Sequence, residues 1–531
     1  MGGLAQALAW PRAGLWPLAW LGPILLWRAI YGQDGRQSLK LGFFYGAALS
    51  MVSVNWLAEV MSGYGGLGPF GGTMVLVVLA AYLSVFSAMW ALLASPLTTQ
   101  KPVLDGRLIV PALWAAVLWT GFDQLKNLLL TGFNWTPLAG PLAQAPSLLG
   151  AADLIGVYGL GILVAWASLL LAQALSDLRR FPLASVLRAL SALAIIAFQV
   201  FYGQRAYSLA EAAYNQAPVK RVSVIQPSIS QDLKWDPKFR EDVLRRIDTL
   251  ITEAQEREPW LIVWPETSAP FLYGIDQAET AWLDEKIAEA SKKGVSMLIG
   301  AAALDYDDYG YRLVKNRAWL VGPEGNASGY DKTHLVPFGE YIPLADTLPF
   351  LKIPFVRGIL GAAGNYSPGL RRDNVVLGGL PFGVLICFES IFPYQARERA
   401  QKGAAFLIVT TNDGWFGESS APEQHLAQAA MRAVETRLPV LRAANNGISA
   451  LISPAGVVLA RSQHNEIASF NWAMGISKAP AQTFFVRYGY YLAPICGAIS
   501  GFLTFLSLGS WLKGFRSRRR EAKKRAERPK P

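Results

Sequence analysis

The sequence predicts a multi-pass α-helical membrane domain joined to an α/β domain, and three observations support this fold class. Hydrophobic residues make up 52% of the 531 residues and charged residues only 16%, a balance typical of membrane proteins. Seven windows are predominantly apolar over about 20 residues, the length that a helix needs to cross a bilayer core. Between the sixth and the seventh window, short β-rich runs alternate with charged amphipathic stretches, which indicates strands separated by helices.

The apolar windows group at the two ends of the chain, six before residue 205 and one near the carboxyl end. They cover about residues 13–30, 38–58, 72–94, 108–128, 148–175, 185–203 and 487–512. Residues 3–11, GLAQALAWP, are apolar but short, and are expected to form a minimal helix packed against its neighbours. We therefore predict six to seven spans in a transmembrane helical domain at 1–205 and one transmembrane helix at 487–512.

Basic residues in the loops predict the orientation of these spans. The loops after the first, third and fifth windows carry Lys or Arg, whereas loops 59–71 and 129–147 carry none. The positive-inside rule places the basic loops in the cytoplasm and the polar region after the sixth window outside it. The tail at 513–531 has ten basic and two acidic residues, which supply eight of the eleven net positive charges. We interpret this tail as a cytoplasmic membrane flank and expect no nucleic-acid partner.

The polar region at about 218–480 is predicted to be an α/β domain whose strands are buried on both faces. Runs such as LIVWPET and GVLICFES combine Val, Ile and Leu with a polar end. In such domains, catalytic groups collect at the carboxyl ends of strands. Glu266 and Cys387 each close a predicted strand. Asn412 and Asp413 follow a third and are expected to cap a helix start.

Cys387 is one of only two cysteines, and it is the stronger candidate for chemistry. Cys496 falls inside the last apolar window and is expected to be a packing residue. A free thiol ionises poorly at neutral pH, so a reactive cysteine needs a nearby base or cation. Glu266 and Lys332 could supply both if their strand ends converge, although an ordinary salt bridge is the alternative. His334 is expected to bond the local backbone instead of the thiol.

The small number of cysteines and histidines limits the other chemistry that the chain can do. Two cysteines cannot form a disulfide framework, and the three histidines are scattered along the sequence. We therefore expect no metal and no cofactor.

Three motifs, WPET, YDKTHLVPFGEY and ICFES, resemble in this order the Glu–Lys–Cys signature of the nitrilase (carbon–nitrogen hydrolase) superfamily. With spans before and after that domain, the whole chain resembles the bacterial apolipoprotein N-acyltransferase family. THLVPFGEYIP and TNDGWFG (411–417) are more specific than the three residues alone. The resemblance implies an αββα sandwich for the nitrilase-like domain, which would be periplasmic, on the bacterial inner (cytoplasmic) membrane. It also implies eight spans, which would make residues 3–11 the missing helix.

The resemblance also implies roles for individual residues. Cys387 would be the nucleophile, Glu266 the general base and Lys332 the oxyanion stabiliser. Phe388 stands where the family often has Tyr, so a hydroxyl is lost there. Trp415 is expected either to line the acyl or amine pocket or to cap the core. The further supporting or substrate-binding positions are Glu340, Glu389, Trp235, Phe388 and Trp415.

The reaction implied by the resemblance is lipid-to-protein acyl transfer. The acyl donor would be a phospholipid, the acceptor the N-terminal amine of a diacylglyceryl-cysteine apolipoprotein, and the intermediate a thioester formed in a ping-pong scheme. The apolar segment 348–361 is expected to be a membrane-dipping arm, with core packing as the alternative. Replacing Phe350 and Phe355 with Ser should then slow acyl loading more than it lowers stability.

Two other functions remain open from the sequence. A membrane-tethered amidase could use the same three residues on a small amide, but a single anchor would serve it. A transporter or sensor with a degenerate domain would need ionisable residues inside its spans. Asp153, Asp123 and Lys126 are the few candidates, and they fall near predicted span ends.

Overall fold

The amino-terminal part of the chain is a helical bundle. The computed structural model describes residues 1–99, 108–323, 328–343, 366–507 and 509. The bundle consists of α1 (Gly2–Leu8), α2 (Leu18–Ile30), α3 (Gly35–Ser53), α4 (Trp56–Ser62), α5 (Gly68–Thr98), α6 (Val110–Lys126), α7 (Pro146–Leu149), α8 (Ala152–Asp177) and α9 (Pro182–Gln216). The predicted arm at 348–361, including Phe350 and Phe355, and the basic tail at 513–531 lie outside the described residues.

Each predicted apolar window coincides with a helix, but the helices differ in length. Within the described ranges, α5, α8, α9 and the carboxyl-terminal helix Gly489–Ser507 are long and apolar enough to cross a membrane. A fifth span results if α3 and α4, which are bent by 62° at their junction, count as one. The helices α2 and α6 have 13 and 17 residues, which is shorter than the usual span. The chain is thus a membrane protein, and the total number of spans stays a prediction.

The short helix α1 covers most of the predicted stretch 3–11. Seven residues make a helix of about 10 Å, against a bilayer core of about 30 Å. This helix therefore cannot cross the bilayer by itself. It packs instead against α2 and α3, where a side chain at Gly3 would collide with the Tyr45 carbonyl oxygen.

The last helix of the bundle, α9, continues beyond the predicted domain end at residue 205. Its carboxyl-terminal third, RAYSLAEAAYNQ, is polar, so hydropathy detects only the part before it. This extension reaches the α/β domain, where the Ser453 hydroxyl donates a hydrogen bond to Glu211. A continuous helix thereby links the bundle to the first strand.

The α/β domain contains two sheets. The first has the strand order β13-β1-β2-β4-β5-β6, with β3 paired to β4, and the second has the order β12-β11-β10-β9-β8-β7. The strands are β1 (Val219–Gln226), β2 (Leu261–Val263), β3 (Ala269–Leu272), β4 (Ser296–Tyr306), β5 (Arg312–Val321), β6 (Ser328–Asp331), β7 (Val375–Leu377), β8 (Leu380–Ile386), β9 (Leu407–Thr411), β10 (Val440–Ala444), β11 (Ala450–Ile452), β12 (Val458–Arg461) and β13 (Ala468–Gly475).

Helices cover the outer face of each sheet. On the first sheet they are α11 (Arg240–Gln255) and α12 (Gln277–Lys292), and on the second α13 (Pro393–Gln401), α14 (Ala421–Thr436) and α15 (Phe484–Arg487). The short helix α10 (Gln231–Lys234) precedes α11, and α16 (Gly489–Ser507) is the carboxyl-terminal apolar helix. In β8, Val384 and Ile386 point between the sheets, whereas Leu385 packs against α13 and α14. In β1, Val224 points between the sheets and Ile225 packs against α11. The predicted αββα sandwich is confirmed.

Helix α14 connects the sandwich to the bundle. The Trp135 indole donates to Gln424 Oε1 at 2.6 Å, and the Gln428 amide donates to the Trp135 carbonyl oxygen at 2.7 Å. Just after the helix, Arg437 pairs with Asp153 at 2.9 Å. Asp123 pairs with Lys126 at 2.5 Å, as a second ion pair within the bundle. The acidic residues that the transporter hypothesis required are therefore engaged in ion pairs.

Candidate active site

The candidate nucleophile lies in the turn that ends β8. The strand gives way at Cys387 to a short 3-10 helix, Cys387–Ile391. Cys387 adopts a φ of +51°, a left-handed conformation that is costly for a residue with a Cβ. Its side chain is almost buried, with 8% exposure. Such strain is found mostly where surrounding contacts hold a functional group in place.

The candidate base, Glu266, lies three residues after the short strand β2. Its Oε1 accepts a hydrogen bond from the Asn316 amide at 2.7 Å, and its Oε2 accepts one from the Asn412 backbone N–H at 2.9 Å. Lys332 Nζ lies 3.1 Å from Glu266 Oε1. The carboxylate is therefore held by donors from both sheets.

The candidate oxyanion stabiliser, Lys332, follows the end of β6 and is 1% exposed. Its ammonium bridges two carboxylates, because Nζ also lies 2.9 Å from Glu340 Oε1. The other oxygen of Glu340 accepts a hydrogen bond from the Val336 backbone N–H at 2.8 Å. The structure thus brings Glu340 to the site beside Glu266 and Lys332.

The charges of these groups determine the protonation of the resting site. Burial raises the pKa of the Cys387 thiol, and the nearby Glu266 carboxylate raises it further. Burial alone would raise the pKa of Glu266, but Lys332 and the Asn316 amide together outweigh it and hold that pKa below its usual value. Although burial opposes it, the two carboxylates hold the pKa of Lys332 well above its usual value. Burial raises the pKa of Glu340. At neutral pH the site therefore contains a thiol, an ionised Glu266 and an ammonium.

Aromatic side chains from both parts of the molecule surround the nucleophile turn. The Phe388 ring is stacked on Phe133 of the bundle at 6.2 Å between centroids, and Phe133 is stacked on Trp135 at 5.9 Å. Phe388 also packs edge-on against Phe392 at 5.1 Å. This lining is apolar, and the bundle supplies half of it.

Glu389 organises the turn and the loop that follows β6. Its Oε1 accepts hydrogen bonds from the Tyr330 hydroxyl at 2.6 Å, the Thr333 N–H at 2.8 Å and the Thr333 hydroxyl at 2.9 Å. The His334 N–H at 3.1 Å completes this set. Its Oε2 accepts the Ile386 N–H at 2.8 Å. The carboxylate therefore ties the strand before Cys387 to the segment that carries Lys332.

His334 is engaged away from the thiol, but its ring bonds a distant side chain and not the local backbone that the sequence predicts. Its Nδ1 lies 2.7 Å from the Tyr394 hydroxyl, and its ring packs on Phe392 at 4.0 Å. Burial lowers the pKa of His334 to about 4, so the ring is neutral.

The two predicted tryptophans lie at the edges of the site. Trp235 is 44% exposed and directly follows Lys234, whose ammonium donates to the Thr267 hydroxyl at 2.7 Å, next to Glu266. Trp415 packs edge-on against Tyr64 of the bundle at 5.1 Å. Their predicted contacts with substrate stay predictions.

The expected helix-capping role of Asn412 and Asp413 is wrong. The Asn412 side chain makes no capping bond and instead donates to Gln231 Oε1 at 2.8 Å. Asp413 is fully buried and pairs with Arg442 at 2.5 Å. The predicted cap bonds are therefore absent, and each side chain bonds a residue far along the chain.

Sequence reasoning missed several polar groups of the site. Asn316 lies in the middle of β5, where nothing in the local pattern distinguishes it, and Lys234 precedes a more conspicuous tryptophan. The missed positions, each bonded to a residue named from the sequence or to its immediate neighbour, are Lys234, Asn316, Thr411, Ser390, His425 and Arg442. In the described part of the chain, no group of three His, Cys, Asp or Glu side chains is placed to hold a metal ion.

Comparisons with known proteins cover nearly the whole chain. The family model of the carbon–nitrogen hydrolases matches residues 221–470, and that of the apolipoprotein N-acyltransferase N-terminal domain matches residues 2–170. The apolipoprotein N-acyltransferase of Geobacter metallireducens is 34% identical over 94% of this chain and 92% of its own length. The protein of the same name from Nitrosomonas europaea is 32% identical over 93% of this chain and 92% of its own length.

Solved structures of the nitrilase superfamily align with the carboxyl-terminal half. Nit3 of Saccharomyces cerevisiae, described as a member of branch 10 of that superfamily, is 19% identical with a TM-score of 0.37. The alignment covers 48% of this chain and 90% of Nit3.

Proposed function

The chain belongs to the apolipoprotein N-acyltransferase family, and on this premise we propose that it carries a fatty acyl chain from a phospholipid to an apolipoprotein amine through Cys387. The acceptor is the N-terminal amine of a diacylglyceryl-cysteine apolipoprotein, and the intermediate is a thioester. The observation that carries this proposal is the Lys332 ammonium, which lies within 3.1 Å of Glu266 and 2.9 Å of Glu340 beside the buried thiol. A base, a cation and a nucleophile, brought together from strand ends of both sheets, are the groups that acyl transfer requires.

The first half of the reaction loads the acyl chain onto the enzyme. Glu266 accepts the thiol proton as the Cys387 sulfur attacks the phospholipid ester carbonyl. Lys332 stabilises the negative charge that develops on the carbonyl oxygen. The carbon–oxygen ester bond then breaks, the lysophospholipid oxygen takes the proton back from Glu266, and the acyl group remains as a thioester. Because the pKa of the buried thiol is raised, proton transfer and sulfur attack occur together.

The second half transfers the acyl chain to the acceptor. The apolipoprotein amine attacks the thioester carbonyl, and Glu266 accepts a proton from the nitrogen. The carbon–sulfur bond breaks, the amide forms, and the proton returns from Glu266 to the Cys387 sulfur. The same carboxylate therefore serves both halves.

The apolar lining favours transfer over hydrolysis. Water competes with the amine for the thioester, so the intermediate needs poorly hydrated surroundings. The stack of Phe388, Phe133 and Trp135 supplies apolar surface beside the nucleophile. We assign this stack to the acyl chain of the intermediate.

The charge pattern supports a location for the site. Basic loops alternate with uncharged ones along the bundle, and the chain ends in a basic tail. We place the nitrilase-like domain, at about 218–480, in the periplasm at the bacterial inner membrane, and the tail at 513–531 in the cytoplasm. A phosphatase reporter fused after residue 531 should be inactive in the periplasmic assay, and an active fusion would reverse this orientation.

The test of the reaction is to trap the acyl-enzyme. The purified full chain is incubated with phospholipids that carry a labelled acyl chain, and the protein is digested and analysed by mass spectrometry. We expect an acyl adduct on Cys387, which a diacylglyceryl lipopeptide with a free amine releases as labelled amide. The Cys387→Ala variant should carry no adduct, whereas Cys496→Ala should load normally because that thiol packs in α16.

Two outcomes would contradict the proposal. An adduct on another residue would remove Cys387 from the reaction. The absence of an adduct with every phospholipid, together with turnover of small amides, would instead identify a membrane-tethered amidase.

A further inference from the structure

A second cluster of buried polar side chains packs against the backbone of the nucleophile turn. It comprises Ser390, Asp413, His425 and Arg442, each with at most 1% of its side chain exposed. These residues come from the nucleophile turn, the segment after β9, helix α14 and strand β10. The reaction scheme above uses none of them, although burying an aspartate, an arginine and a histidine together is costly.

One end of the cluster holds the backbone of the nucleophile. His425 Nε2 lies 3.1 Å from the Cys387 carbonyl oxygen and 2.8 Å from Ser390 Oγ. The Ser390 hydroxyl in turn donates to the same Cys387 carbonyl oxygen at 2.9 Å. The His425 and Ser390 side chains therefore both bond the backbone carbonyl of Cys387, the proposed nucleophile.

The other end of the cluster orients the histidine ring. His425 Nδ1 lies 3.2 Å from Arg442 Nη2 and 3.1 Å from Asp413 Oδ1, and Arg442 Nη2 donates to Asp413 Oδ2 at 2.5 Å. Burial and the Arg442 charge lower the pKa of His425, so the ring is neutral and carries one N–H. Acceptors face both ring nitrogens, the Cys387 carbonyl at Nε2 and Asp413 Oδ1 at Nδ1. We place the proton on Nε2, because Arg442 Nη2 can donate to Nδ1, whereas the Ser390 hydroxyl beside Nε2 donates to the Cys387 carbonyl.

Asp413 of this cluster is also connected to the Cys387 sulfur, through the Thr411 hydroxyl. The Thr411 hydroxyl donates to Asp413 Oδ1 at 2.8 Å, and the same hydroxyl interacts with the Cys387 thiol. Cys387 is thus held at its carbonyl by His425 and Ser390, and at its side chain by Thr411.

We propose that His425 is a positioning residue for the nucleophile: together with Ser390 it clamps the Cys387 carbonyl and so maintains the left-handed backbone that aims the sulfur at Glu266 and Lys332. This inference deepens the proposed function and rests on Cys387 being the nucleophile. A left-handed cysteine reverts to an ordinary conformation unless surrounding bonds hold it. The two donors on its carbonyl are such bonds.

The same residues could be taken for a serine nucleophile with its histidine and aspartate. Three observations argue against that interpretation. Ser390 is completely buried, its hydroxyl donates to the Cys387 carbonyl, and Arg442 Nη2 contacts the imidazole nitrogen that also faces the aspartate. A fluorophosphonate probe should therefore leave Ser390 unlabelled.

The bundle contributes to the position of this histidine. The Trp135 ring lies 5.6 Å from the His425 ring, and the neighbouring Gln424 accepts from the Trp135 indole and donates to the Ser53 carbonyl oxygen at 3.0 Å. Helix α14 therefore holds His425 against the Cys387 carbonyl and is itself packed against the membrane helices.

The test compares thiol reactivity with acyl loading in the full chain, in a Cys496→Ala background that leaves one thiol. The variants are His425→Leu, His425→Gln and His425→Asn. Iodoacetamide alkylation of Cys387 is measured against pH, and labelled-phospholipid loading is resolved into kcat and KM. A glutamine amide can occupy the place of Nε2 and donate to the Cys387 carbonyl, whereas an asparagine amide is too short.

We expect His425→Leu to lower kcat for loading by about 10²-fold, the cost of a misplacement of about 1 Å, with KM changed less than about threefold. Its alkylation profile should move to higher pH, because the sulfur lies farther from Lys332. His425→Gln should recover much of the rate, and His425→Asn should resemble His425→Leu. Glu423→Gln, on the same helix but in an exposed ion pair with Arg461, should behave as the parent.

Several results would overturn the proposal. One is a His425→Leu variant whose alkylation and loading rates equal those of the parent enzyme. Another is an equal loss of both rates in the Gln and Leu variants, in proportion to their loss of melting temperature, because that result would indicate a purely structural role. If His425→Leu does not fold, Ser390→Ala removes only one of the two carbonyl donors and must still slow alkylation. Alkylation needs no lipid substrate. The alkylation rates of the His425 and Ser390 variants therefore test the positioning role even if no phospholipid loads Cys387.

Discussion

Lys332 Nζ lies 3.1 Å from Glu266 Oε1, although 66 positions of sequence separate the two residues and they follow different strands of one sheet. Both side chains are buried, and the ammonium is shared with Glu340 at 2.9 Å. One cation therefore stabilises two carboxylates in a site with little water. This arrangement makes the lysine important for the fold as well as for the chemistry, and its removal should affect both.

The Lys332→Met variant should be inactive and less stable. It leaves the Glu266 and Glu340 carboxylates buried without their common cation, which should lower the free energy of unfolding by about 3–5 kcal/mol. The melting temperature in detergent and acyl loading test this. Lys315→Met is the matched control, because Lys315 is also buried but donates to the Pro368 carbonyl at 2.7 Å and forms no ion pair with another described residue. Equal destabilisation by both variants would contradict the shared-cation argument.

The two half-reactions should respond differently to pH. The pKa of Glu266 is held below its usual value, so the base stays ionised as the pH falls, and loading should be constant between about pH 5 and 7. Transfer should instead rise with pH, because the acceptor amine has an ordinary pKa of about 7.7–8.0. Single-turnover measurements of each half test this. A loading rate that falls between pH 7 and 6 would show that Glu266 has no such depressed pKa.

A second titration should be visible in loading near pH 8. Burial lowers the pKa of Lys234 to about 8, and this ammonium interacts with Glu266. Above that pH Lys234 becomes neutral, and the pKa of Glu266 should rise because one nearby positive charge is lost. Lys234→Met should therefore abolish any inflection near pH 8. If the loading rate of Lys234→Met still shows an inflection near pH 8, then another group titrates there and the assignment to Lys234 is wrong.

Opening the aromatic stack should let water reach the thioester. Phe133→Ser removes the ring that stacks on Phe388 at 6.2 Å, and we expect a several-fold larger share of free fatty acid relative to amide product. The ratio of the two labelled products measures this effect. Phe470→Ser is the control, because Phe470 is also partly buried and stacked, on Trp472, but lies in β13. If Phe133→Ser gives the same ratio of free fatty acid to amide as the parent enzyme, then this stack does not keep water from the thioester.

Glu389→Gln should weaken the nucleophile turn without touching the thiol. Five hydrogen bonds end on this carboxylate, and each bond to a charged group contributes about 1.5–3 kcal/mol. We expect a lower melting temperature together with slower alkylation of Cys387. Glu398→Gln breaks a partly exposed pair with Arg372 and should cost at most about 1 kcal/mol. Unchanged alkylation in Glu389→Gln would exclude a link from this residue to the nucleophile.

Particular residues show how far sequence reasoning reaches in this protein. Apolar windows located the four described helices that are long and apolar enough to cross a membrane, because a bilayer imposes a length and a composition on each span. They missed the last third of α9, RAYSLAEAAYNQ, because this helical segment is too polar for a hydropathy window to detect. Local rules assigned Asn412 and Asp413 to a helix cap, yet each bonds a partner far along the chain. Local patterns predict local bonds, and these two residues make long-range ones.

By itself, the sequence determined the helical membrane part, the αββα class of the second part and the family, because periodicity, hydropathy and ordered motifs are properties of the chain. The motif resemblance already placed Glu340 among the supporting residues. Only the tertiary structure decided that Asn316 joins Glu266 and Lys332, and that Ser390, His425, Asp413 and Arg442 meet behind Cys387. Those groups come from different strands and helices, and their distances depend on how two sheets stack and how α14 rests on the bundle. Spacing along a chain carries no information about such packing.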